Sequence, residues 1–320
     1  MANETVVVTG VAGFIGSHLS QYLLQQGFSV IGLDSFHDYY PRWIKEDNLK
    51  TIRPYQRFTL IEGDLLSKSF LISLKKAEVL KDVQYFFHLA AIPGVRRSWN
   101  RFQSYVEDNI LVTQRLLDFI KDFPIKKFIF ASSSSVYGNS DCLPLKEDSK
   151  LIPLSLYGIT KLTGEHLCQV YWQNYSVPTV SLRYFTVYGP RQRPDMAFHR
   201  FIKAILNDHQ IEIFGSGKQT RDFTFISDIV RGTVLATNAP SGEIFNLGGG
   251  TRIILTEAVE LIRKIIGKEI NITWISAQKG DVNDTWADID KAIKILGYQP
   301  EVSLEDGLKE EISWLRQINP

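Results

Sequence analysis

The sequence predicts an α/β protein built on a doubly wound parallel sheet, followed by a smaller α/β substrate lobe. Three observations support this fold class. Short, β-rich apolar runs alternate with helical patterns through the first half of the chain. A glycine motif directly follows the first apolar run. Polar residues stand where the runs end, which is the edge at which open parallel sheets bind ligands.

Each predicted strand is bounded by turn residues. The segments between the strands are long enough to hold a helix, so right-handed crossovers would join parallel neighbours. In residues 17–27, leucines lie along a helical stripe and Gly27 is expected to end the helix. The predicted strands of the first half cover residues 5–10, 28–34, 58–64, 83–91, 126–133 and 179–185.

The pattern changes after about residue 186. Two loops rich in glycine, proline or charge, 189–195 and 214–222, precede one further strand at 242–250. Helical segments then surround a short strand at 270–275. We therefore expect a second lobe that is discontinuous in sequence. The predicted division is a nucleotide-binding domain of residues 1–185 plus about 225–248, and a sugar-nucleotide lobe of 186–224 plus about 249–320.

The composition argues against several classes of protein. The chain has 36 basic and 35 acidic residues, a net charge of +1, so no overall field favours nucleic acid or an anionic membrane. No apolar run approaches the ~20 residues that a transmembrane helix needs. The beginning of the chain lacks the pattern of a signal peptide, and Cys142 and Cys168 do not suggest a disulfide framework. We expect a cytoplasmic protein without metal, membrane or nucleic-acid partners.

The glycine motif predicts a dinucleotide site. Gly10, Gly13 and Gly16 are spaced G-x-x-G-x-x-G between a strand and a helix. The first permits a tight turn, the second lets a pyrophosphate approach the backbone, and the third lets the helix pack closely. The free N–H groups and the positive end of the helix dipole would hold the phosphates. The arrangement is typical of a Rossmann fold and places Phe14 and Ile15 at the cofactor.

Acidic residues at the next two strand ends refine this prediction. Asp34 stands 18 residues past Gly16, where its carboxylate can accept from both adenosine ribose hydroxyls and would repel a 2′-phosphate. NAD is therefore favoured over NADP. Asp64 ends the third strand, where an acid can meet the adenine amino group. The alternatives are ordinary turn or capping aspartates; Ser35 and Leu65 would line the same site.

Tyr157 and Lys161 are the candidate catalytic pair. They lie at i and i+4, hence on one helix face. A free phenol has a pKa near 10 and is a poor base at neutral pH, but a nearby ammonium and the positive nicotinamide ring would lower that pKa. Lys161 can also bind the nicotinamide ribose, and a serine at the end of the strand before it can share the substrate proton. Together with the glycine motif, the pair predicts oxidation of a hydroxyl-bearing carbon by NAD⁺.

With these motifs the sequence resembles the extended short-chain dehydrogenase/reductase family, and within it the nucleotide-sugar 4-epimerases, over nearly the whole chain. The resemblance implies a Rossmann domain with a C-terminal sugar-nucleotide lobe, tightly held NAD that is regenerated each turnover, and a homodimer formed through a four-helix bundle. Matching the family motif S-S-S-x-x-V-Y-G places the catalytic hydroxyl at Ser133, with Ser134 as its polar neighbour. Further family positions that line or buttress the cofactor are Leu89, Ala90, Ala91, Asn109 and Tyr184.

Two comparisons within the family reduce the number of reactions that the sequence supports. Dehydratases carry Asp-Glu after the catalytic hydroxyl and UDP-glucuronate decarboxylases keep the glutamate, whereas this chain has Ser134 and Ser135. The segment FTVYGPRQRPDMA, residues 185–197, resembles the signature of UDP-glucuronate 4-epimerases; glucose-type enzymes have asparagine in place of Thr186. The implied reaction converts UDP-glucuronate to UDP-galacturonate through a transient 4-keto sugar, with hydride returned from bound NADH. The alternatives are a 4-epimerase of UDP-glucose or UDP-N-acetylglucosamine, a UDP-glucuronate decarboxylase, and a non-catalytic NAD sensor.

Candidate substrate residues follow from the same comparison. A sugar carboxylate can be held by a guanidinium or by hydroxyl and amide groups, and the candidates are Thr186, Arg193 and Arg96. A surface or diphosphate contact is the alternative for Arg193, and a structural ion pair is the alternative for Arg96. The resemblance implies that Arg221 grips the diphosphate and Asp281 meets the uridine ribose. Gln278 stands where glucose-type epimerases often place a second phosphate-binding arginine.

Overall fold

The elements of the fold alternate as the sequence predicts. The computed structural model describes residues 4–77, 79–277 and 279–318. The strands are β1 (Thr5–Thr9), β2 (Ser29–Asp34), β3 (Phe58–Glu62), β4 (Val83–His88), β5 (Lys127–Ser133), β6 (Thr179–Tyr184), β7 (Thr186–Tyr188), β8 (Ile211–Phe214), β9 (Thr220–Arg221), β10 (Phe223–Phe225), β11 (Ile244–Leu247), β12 (Ile253–Ile254) and β13 (Ile272–Ile275). The α-helices are α1 (Phe14–Gln25), α2 (Arg42–Leu49), α3 (Lys68–Lys76), α4 (Val95–Ser98), α5 (Phe102–Tyr105), α6 (Val112–Ile120), α7 (Leu156–Tyr175), α8 (Ala197–Leu206), α9 (Ile226–Leu235), α10 (Leu255–Ile266), α11 (Asp290–Leu296) and α12 (Leu304–Ile318). A π-helical turn (Val106–Leu111) joins α5 to α6, and short 3₁₀ turns cover Ser134–Val136 and Ala236–Asn238.

Seven parallel strands form the central sheet, in the order β11-β6-β5-β4-β1-β2-β3. The order reverses between β1 and β4, and ligands bind at such a switch point, beyond the carboxyl ends of the strands. The predicted doubly wound sheet is confirmed. The predicted strand 83–91 ends at His88, because the chain there leaves the ladder and the Ala90 N–H donates to the Thr9 hydroxyl instead (3.1 Å).

Both faces of this sheet are covered, as expected for parallel strands joined by helices. Residues of β1 point alternately to the two faces. Val6 and Val8 pack in a cluster with Leu19 of α1, whereas Val7 packs in another with Leu116 of α6. All three valines are fully buried, which is why an uninterrupted apolar run, rather than an alternating one, is the sequence signal for this strand.

Three two-stranded sheets lie outside the central sheet: β7 with β10, β9 with β12, and β8 with β13. Of these six strands, the sequence pattern indicated only the one at 270–275, which corresponds to β13. The largest apolar cluster runs without a break from Val8 and Leu182 of the central sheet to Ile213 of β8 and Leu315 of α12. The division into two domains stays a prediction. Across the part of the chain described here, no helix is long and apolar enough to cross a membrane.

Candidate active site

The glycine turn between β1 and α1 is tightly packed. Gly10 has a φ of +70°, and a Cβ there would lie 2.9 Å from the backbone N of Ala90. A Cβ on Gly16 would lie only 2.1 Å from the Gly10 carbonyl oxygen. Gly13 caps α1 without any side-chain hydrogen bond to the first turn, so this end of the helix retains free N–H groups. These features suit the binding of a pyrophosphate at the helix N-terminus.

We expect Gly16→Ala to abolish retention of the dinucleotide and to lower thermal stability, because the new methyl group would collide with the Gly10 carbonyl. Gly13→Ala is the matched control for stability: its Cβ would lie 3.1 Å from the same oxygen, a contact that a small shift relieves, so its melting temperature should stay close to that of the wild type. Cofactor content after gel filtration and the melting temperature check the prediction. Wild-type cofactor content in Gly16→Ala, or an equal fall in melting temperature in the two variants, would contradict it.

A cavity lies beyond the carboxyl ends of β1, β2, β4 and β5. It brings together nearly all of the predicted cofactor residues. Those that line it are Gly10, Gly13, Phe14, Ile15, Gly16, Asp34, Ser35, Asp64, Leu65, Leu89, Ala90, Ala91, Tyr157, Lys161 and Tyr184. These lining residues and the glycine turn fit a dinucleotide.

Asn109 lies behind this cavity and is almost fully buried. Its Oδ1 accepts from Ile92 N (2.7 Å), and its Nδ2 donates to Ile92 O (3.0 Å) and Thr160 Oγ1 (3.0 Å). Asn109 therefore ties the segment after β4 to α7, the helix of Tyr157 and Lys161. Of the two family roles, lining or buttressing, this geometry supports buttressing.

Asp34 is held at the end of β2 by two backbone donors. Its carboxylate accepts from Ala12 N (2.9 Å) and Phe36 N (2.8 Å). Lys45 of α2, which the sequence analysis missed, has its Nζ 4.0 Å from Asp34 Oδ1 and also lines the cavity. Burial lowers the pKa of Lys45, while the charge of Asp34 opposes that shift. A lysine in a short polar helix normally indicates a solvent-exposed face, so nothing in the local sequence distinguishes Lys45 from an ordinary surface lysine.

Tyr157 and Lys161 lie on the first turns of α7, which begins where the Ser155 hydroxyl accepts from Gly158 N (3.0 Å). Lys161 Nζ donates to Ala131 O (2.8 Å) and lies 6.0 Å from the centre of the Tyr157 ring. Burial lowers the pKa of Lys161 to about 8. Both side chains face the cavity, as their i, i+4 spacing predicts.

The pKa of Tyr157 is set by opposing effects within the protein. Burial raises it, while the neighbouring Ser133 hydroxyl and the charge of Arg193 lower it in part. The net shift is upward, because the buried phenol loses more from desolvation than these neighbours restore. The lowering by the Lys161 ammonium and the nicotinamide ring together stays a prediction.

Ser133 stands at the end of β5, and it and Ser134 are half-buried. The Ser133 hydroxyl accepts from Ser135 N (3.2 Å) and donates to Ser135 Oγ (3.1 Å). Ser133 thereby caps the 3₁₀ turn that follows the strand. The turn presents hydroxyl groups, and the acidic pair of the dehydratases is absent from this sequence.

A buried ion pair lies behind the catalytic pair. Arg183 of β6 donates to Glu165 of α7 through Nε (2.9 Å) and Nη2 (2.8 Å), and both side chains are at most 3% exposed. The Ser132 hydroxyl donates to the same carboxylate (2.5 Å), and Arg183 Nη1 donates to Tyr137 OH (2.8 Å). The pair joins β6 to the helix that carries Tyr157, and the Ser132 hydroxyl connects the end of β5 to the same carboxylate. The sequence analysis missed it, because its members are separated along the chain.

The structure separates the predicted substrate residues into two groups. Arg193 lines the cavity with Tyr157. Arg221 and Asp281 line a second cavity in the smaller lobe. Thr186 begins β7 and is half-buried, but it does not line either cavity. Gln278 lies outside the described residues.

Arg96 bridges from α4 to the second cavity. Its Nη2 donates to Asp281 Oδ2 (2.9 Å), and its guanidinium lies 3.6 Å from the centre of the Phe214 ring. The structure thus shows an ion pair at Arg96, and a substrate contact of this arginine stays a prediction. The Arg221 guanidinium donates to the carbonyls of Thr220 (2.8 Å), Val282 (2.8 Å) and Asn283 (3.0 Å), so it is fixed at the cavity wall by backbone contacts.

Comparison with known proteins agrees with this geometry. The model of the NAD dependent epimerase/dehydratase family matches residues 6–248. A UDP-glucuronate 4-epimerase of Thermodesulfobacterium geofontis (strain OPF15) is 41% identical over 313 residues, which is 97% of this chain and 96% of the relative. A relative from Bacillus subtilis (strain 168), named an uncharacterized UDP-glucose epimerase (YtcB), is 47% identical over 317 residues, 98% of each chain.

A solved structure is similarly close. The crystal structure of a UDP-glucuronic acid 4-epimerase from Bacillus cereus, in complex with UDP-glucuronic acid and NAD, superposes with a TM-score of 0.93 at 47% identity. The superposition covers 98% of this chain and 99% of that one. The extended short-chain dehydrogenase resemblance inferred from the glycine motif and from the Tyr157–Lys161 pair is confirmed: the chain belongs to the NAD dependent epimerase/dehydratase family.

Proposed function

We propose that the protein is a UDP-glucuronate 4-epimerase that interconverts UDP-glucuronate and UDP-galacturonate. The observation that carries the proposal is the presence of Arg193 in the same cavity as Tyr157 and the glycine turn. A guanidinium beside the reacting phenol suits a sugar that bears a carboxylate. The relatives from T. geofontis and B. cereus, whose names specify this reaction, support it.

NAD is the proposed cofactor. Its pyrophosphate would lie at the N-terminus of α1, and Asp34 would accept from the adenosine ribose. Lys45, which lies beside Asp34, would face the same ribose. When bound, NAD supplies the acceptor and later the donor of the hydride at C4. The bound NAD in the B. cereus complex supports this assignment.

The proton chemistry is assigned to residues of this chain. Tyr157 would accept the 4-OH proton and later return it, with the Ser133 hydroxyl sharing the same substrate oxygen. Lys161, held by the Ala131 carbonyl, would keep a positive charge beside the phenol. The 4-keto sugar formed is a β-keto acid, which tends to lose CO₂ when its carboxylate aligns with the carbonyl π system. The turn at Ser134 and Ser135 supplies hydroxyls and no acid, which supports epimerisation over elimination.

The small lobe would hold the UDP group. Arg221 and Asp281, in the second cavity, are the proposed diphosphate and ribose contacts, and Thr186 is a further candidate for the sugar carboxylate. The B. subtilis relative's name keeps UDP-glucose as the second candidate substrate. In that sugar a neutral hydroxymethyl group would replace the carboxylate near Arg193.

We further propose a homodimer formed through α6 and α7. The outer face of α7 exposes Ile159 and Val170, which are 42% and 49% exposed, and Leu111, which precedes α6, is 39% exposed. Pairing of these helices with a second copy would cover the apolar stripe. Light scattering should give twice the mass of 36.5 kDa, and Val170→Arg should reduce it to the monomer mass. A wild-type monomer would contradict this proposal.

The reaction assay needs only purified protein and UDP-glucuronate, without added NAD. We expect UDP-galacturonate to accumulate and no CO₂ to be released, since the proposed cofactor returns to its starting state in each cycle. Anion-exchange chromatography resolves the two UDP-uronates. Formation of a UDP-pentose would indicate decarboxylation, and conversion of UDP-glucose without any conversion of UDP-glucuronate would refute the uronate assignment.

A further inference from the structure

Arg193 is already paired with an acid. Its Nε and Nη2 donate to the two carboxylate oxygens of Asp195 at 3.0 and 3.2 Å. Tyr39 OH donates to Asp195 Oδ2 (3.1 Å), which fixes the carboxylate from a second side. Burial raises the pKa of Asp195, but the Arg193 charge and these hydrogen bonds together lower it by more, so this pKa lies below its usual value. The guanidinium charge in the cavity is therefore largely offset before any substrate arrives.

The backbone around this pair is held by both lobes. At its start, Gly189 N donates to Glu311 Oε2 of α12 (2.9 Å), and His18 Nε2 of α1 hydrogen-bonds to Pro190 O (2.8 Å). Arg191, at a φ of +65°, donates to Gln21 Oε1 of α1 (2.7 Å). Because the loop of residues 189–195 is anchored at these points, Arg193 would meet a substrate through movement of its side chain and not through movement of the loop.

The pairing with Asp195 leaves one side of the guanidinium for a substrate. Asp195 takes the Nε–Nη2 edge of the guanidinium, and the Nη1–Nη2 edge keeps N–H groups for a second carboxylate. A sugar carboxylate can therefore bind at that edge without displacing the acid, but it meets a guanidinium whose charge Asp195 already offsets. The Arg193 and Asp195 side chains are 19% and 30% exposed, so their pairing is only partly screened by solvent.

The proposed reaction has a particular need for a weak contact here. The hydride leaves one face of C4 and returns to the other, so the 4-keto sugar must rotate inside the site to present its opposite face. A carboxylate held by an unopposed arginine would bind more tightly and would resist this turn. Tighter ground-state binding of this kind lowers KM and kcat together.

We propose that Asp195 is a positioning residue that weakens the contact between Arg193 and the substrate carboxylate, and so permits the sugar to turn between its two orientations. This inference rests on the proposed function. It assigns to Asp195 a role in uronate turnover that differs from support of the loop, because a purely supporting residue would affect all UDP-sugars alike.

The test compares Asp195→Asn with the wild-type protein, both loaded with NAD. We expect UDP-glucuronate to bind about tenfold more tightly to the variant, the scale of one charge-assisted hydrogen bond, and kcat to fall by a similar factor. The affinity for UDP-glucose, which has no carboxylate, should stay the same. Calorimetry gives the affinities, and steady-state kinetics separates kcat from KM.

The matched control is Asp208→Asn, which removes an exposed ion pair with Lys268 (2.9 Å) in the same lobe and should change neither quantity. Unchanged or weaker binding of UDP-glucuronate by Asp195→Asn would overturn the inference, and so would equal tightening for UDP-glucose.

If Asp195→Asn does not fold, a measurement on the wild-type protein still tests the inference. The wild type should bind UDP-glucuronate no more than about tenfold more tightly than UDP-glucose, whereas a preference above about a hundredfold would indicate an unopposed arginine and overturn the inference. Failure of the wild type to convert UDP-glucuronate would reject the proposed function instead.

Discussion

Tyr157→Phe is expected to lower kcat for epimerisation by about a thousandfold, within the usual range for loss of a general acid–base group. The substitution removes only the phenolic oxygen, so the ring keeps its place on α7 beside Tyr105 (6.3 Å between ring centres). Folding and NAD retention should therefore be preserved. Turnover by the purified variant, together with its cofactor content, checks the prediction.

Tyr105→Phe is the matched control for this experiment. Tyr105 is also buried, but its hydroxyl donates to the carbonyls of Pro93 (2.6 Å) and Gly94 (2.8 Å) and not towards a substrate. Its loss should cost about 1 kcal/mol of stability and leave kcat within about tenfold of wild type. Near-normal turnover by Tyr157→Phe would remove Tyr157 as the proton acceptor.

Glu165→Ala is expected to lower the free energy of unfolding by about 3 to 5 kcal/mol, because it leaves the Arg183 guanidinium buried without its partner. Arg183 and Glu165 are 2% and 3% exposed, so water cannot replace the lost contact. Urea denaturation followed by circular dichroism measures the change. The end of β5 should also loosen, since the Ser132 hydroxyl loses its acceptor.

The double variant Glu165→Leu with Arg183→Met distinguishes a buried charge from lost packing. Replacing both ions with apolar side chains of similar volume should restore most of the stability, because no uncompensated charge remains. A double variant as unstable as Glu165→Ala would assign the loss to packing. A single variant within about 1 kcal/mol of wild type would show that the pair is dispensable.

Local patterns were sufficient to predict the central sheet and the dinucleotide turn. The spacing of Gly10, Gly13 and Gly16 indicates where backbone segments come into contact. A Cβ added at Gly16 would lie 2.1 Å from the Gly10 carbonyl oxygen, so the close contact requires glycine, and the sequence shows that glycine directly. Buried parallel strands require continuous apolar runs, which are visible in any window. The strands of the second lobe have only two to four residues, too few to establish a period.

Pairings between distant segments could not be predicted in the same way. The contacts of Lys45 with Asp34 and of Arg183 with Glu165 depend on where the crossover connections place these side chains. A short stretch of sequence carries no information about that placement. Arg96 is an example: its chemistry permitted both a substrate contact and an ion pair, and its ion-pair partner, Asp281, lies 185 positions away in the sequence. The resemblance identified family positions, but not which partners their side chains choose in this chain.

The continuous apolar cluster that joins the central sheet to α12 limits how this protein can be re-engineered. A chimera that takes its sugar-nucleotide lobe from a relative would import half of a packed interior, and Ile213 or Leu315 would meet side chains selected for another surface. Such exchanges should succeed only when the facing residues, such as Leu182 and Phe245, travel with the lobe. Altered sugar preference is therefore more accessible through single positions in the loop of residues 189–195 than through exchange of whole lobes.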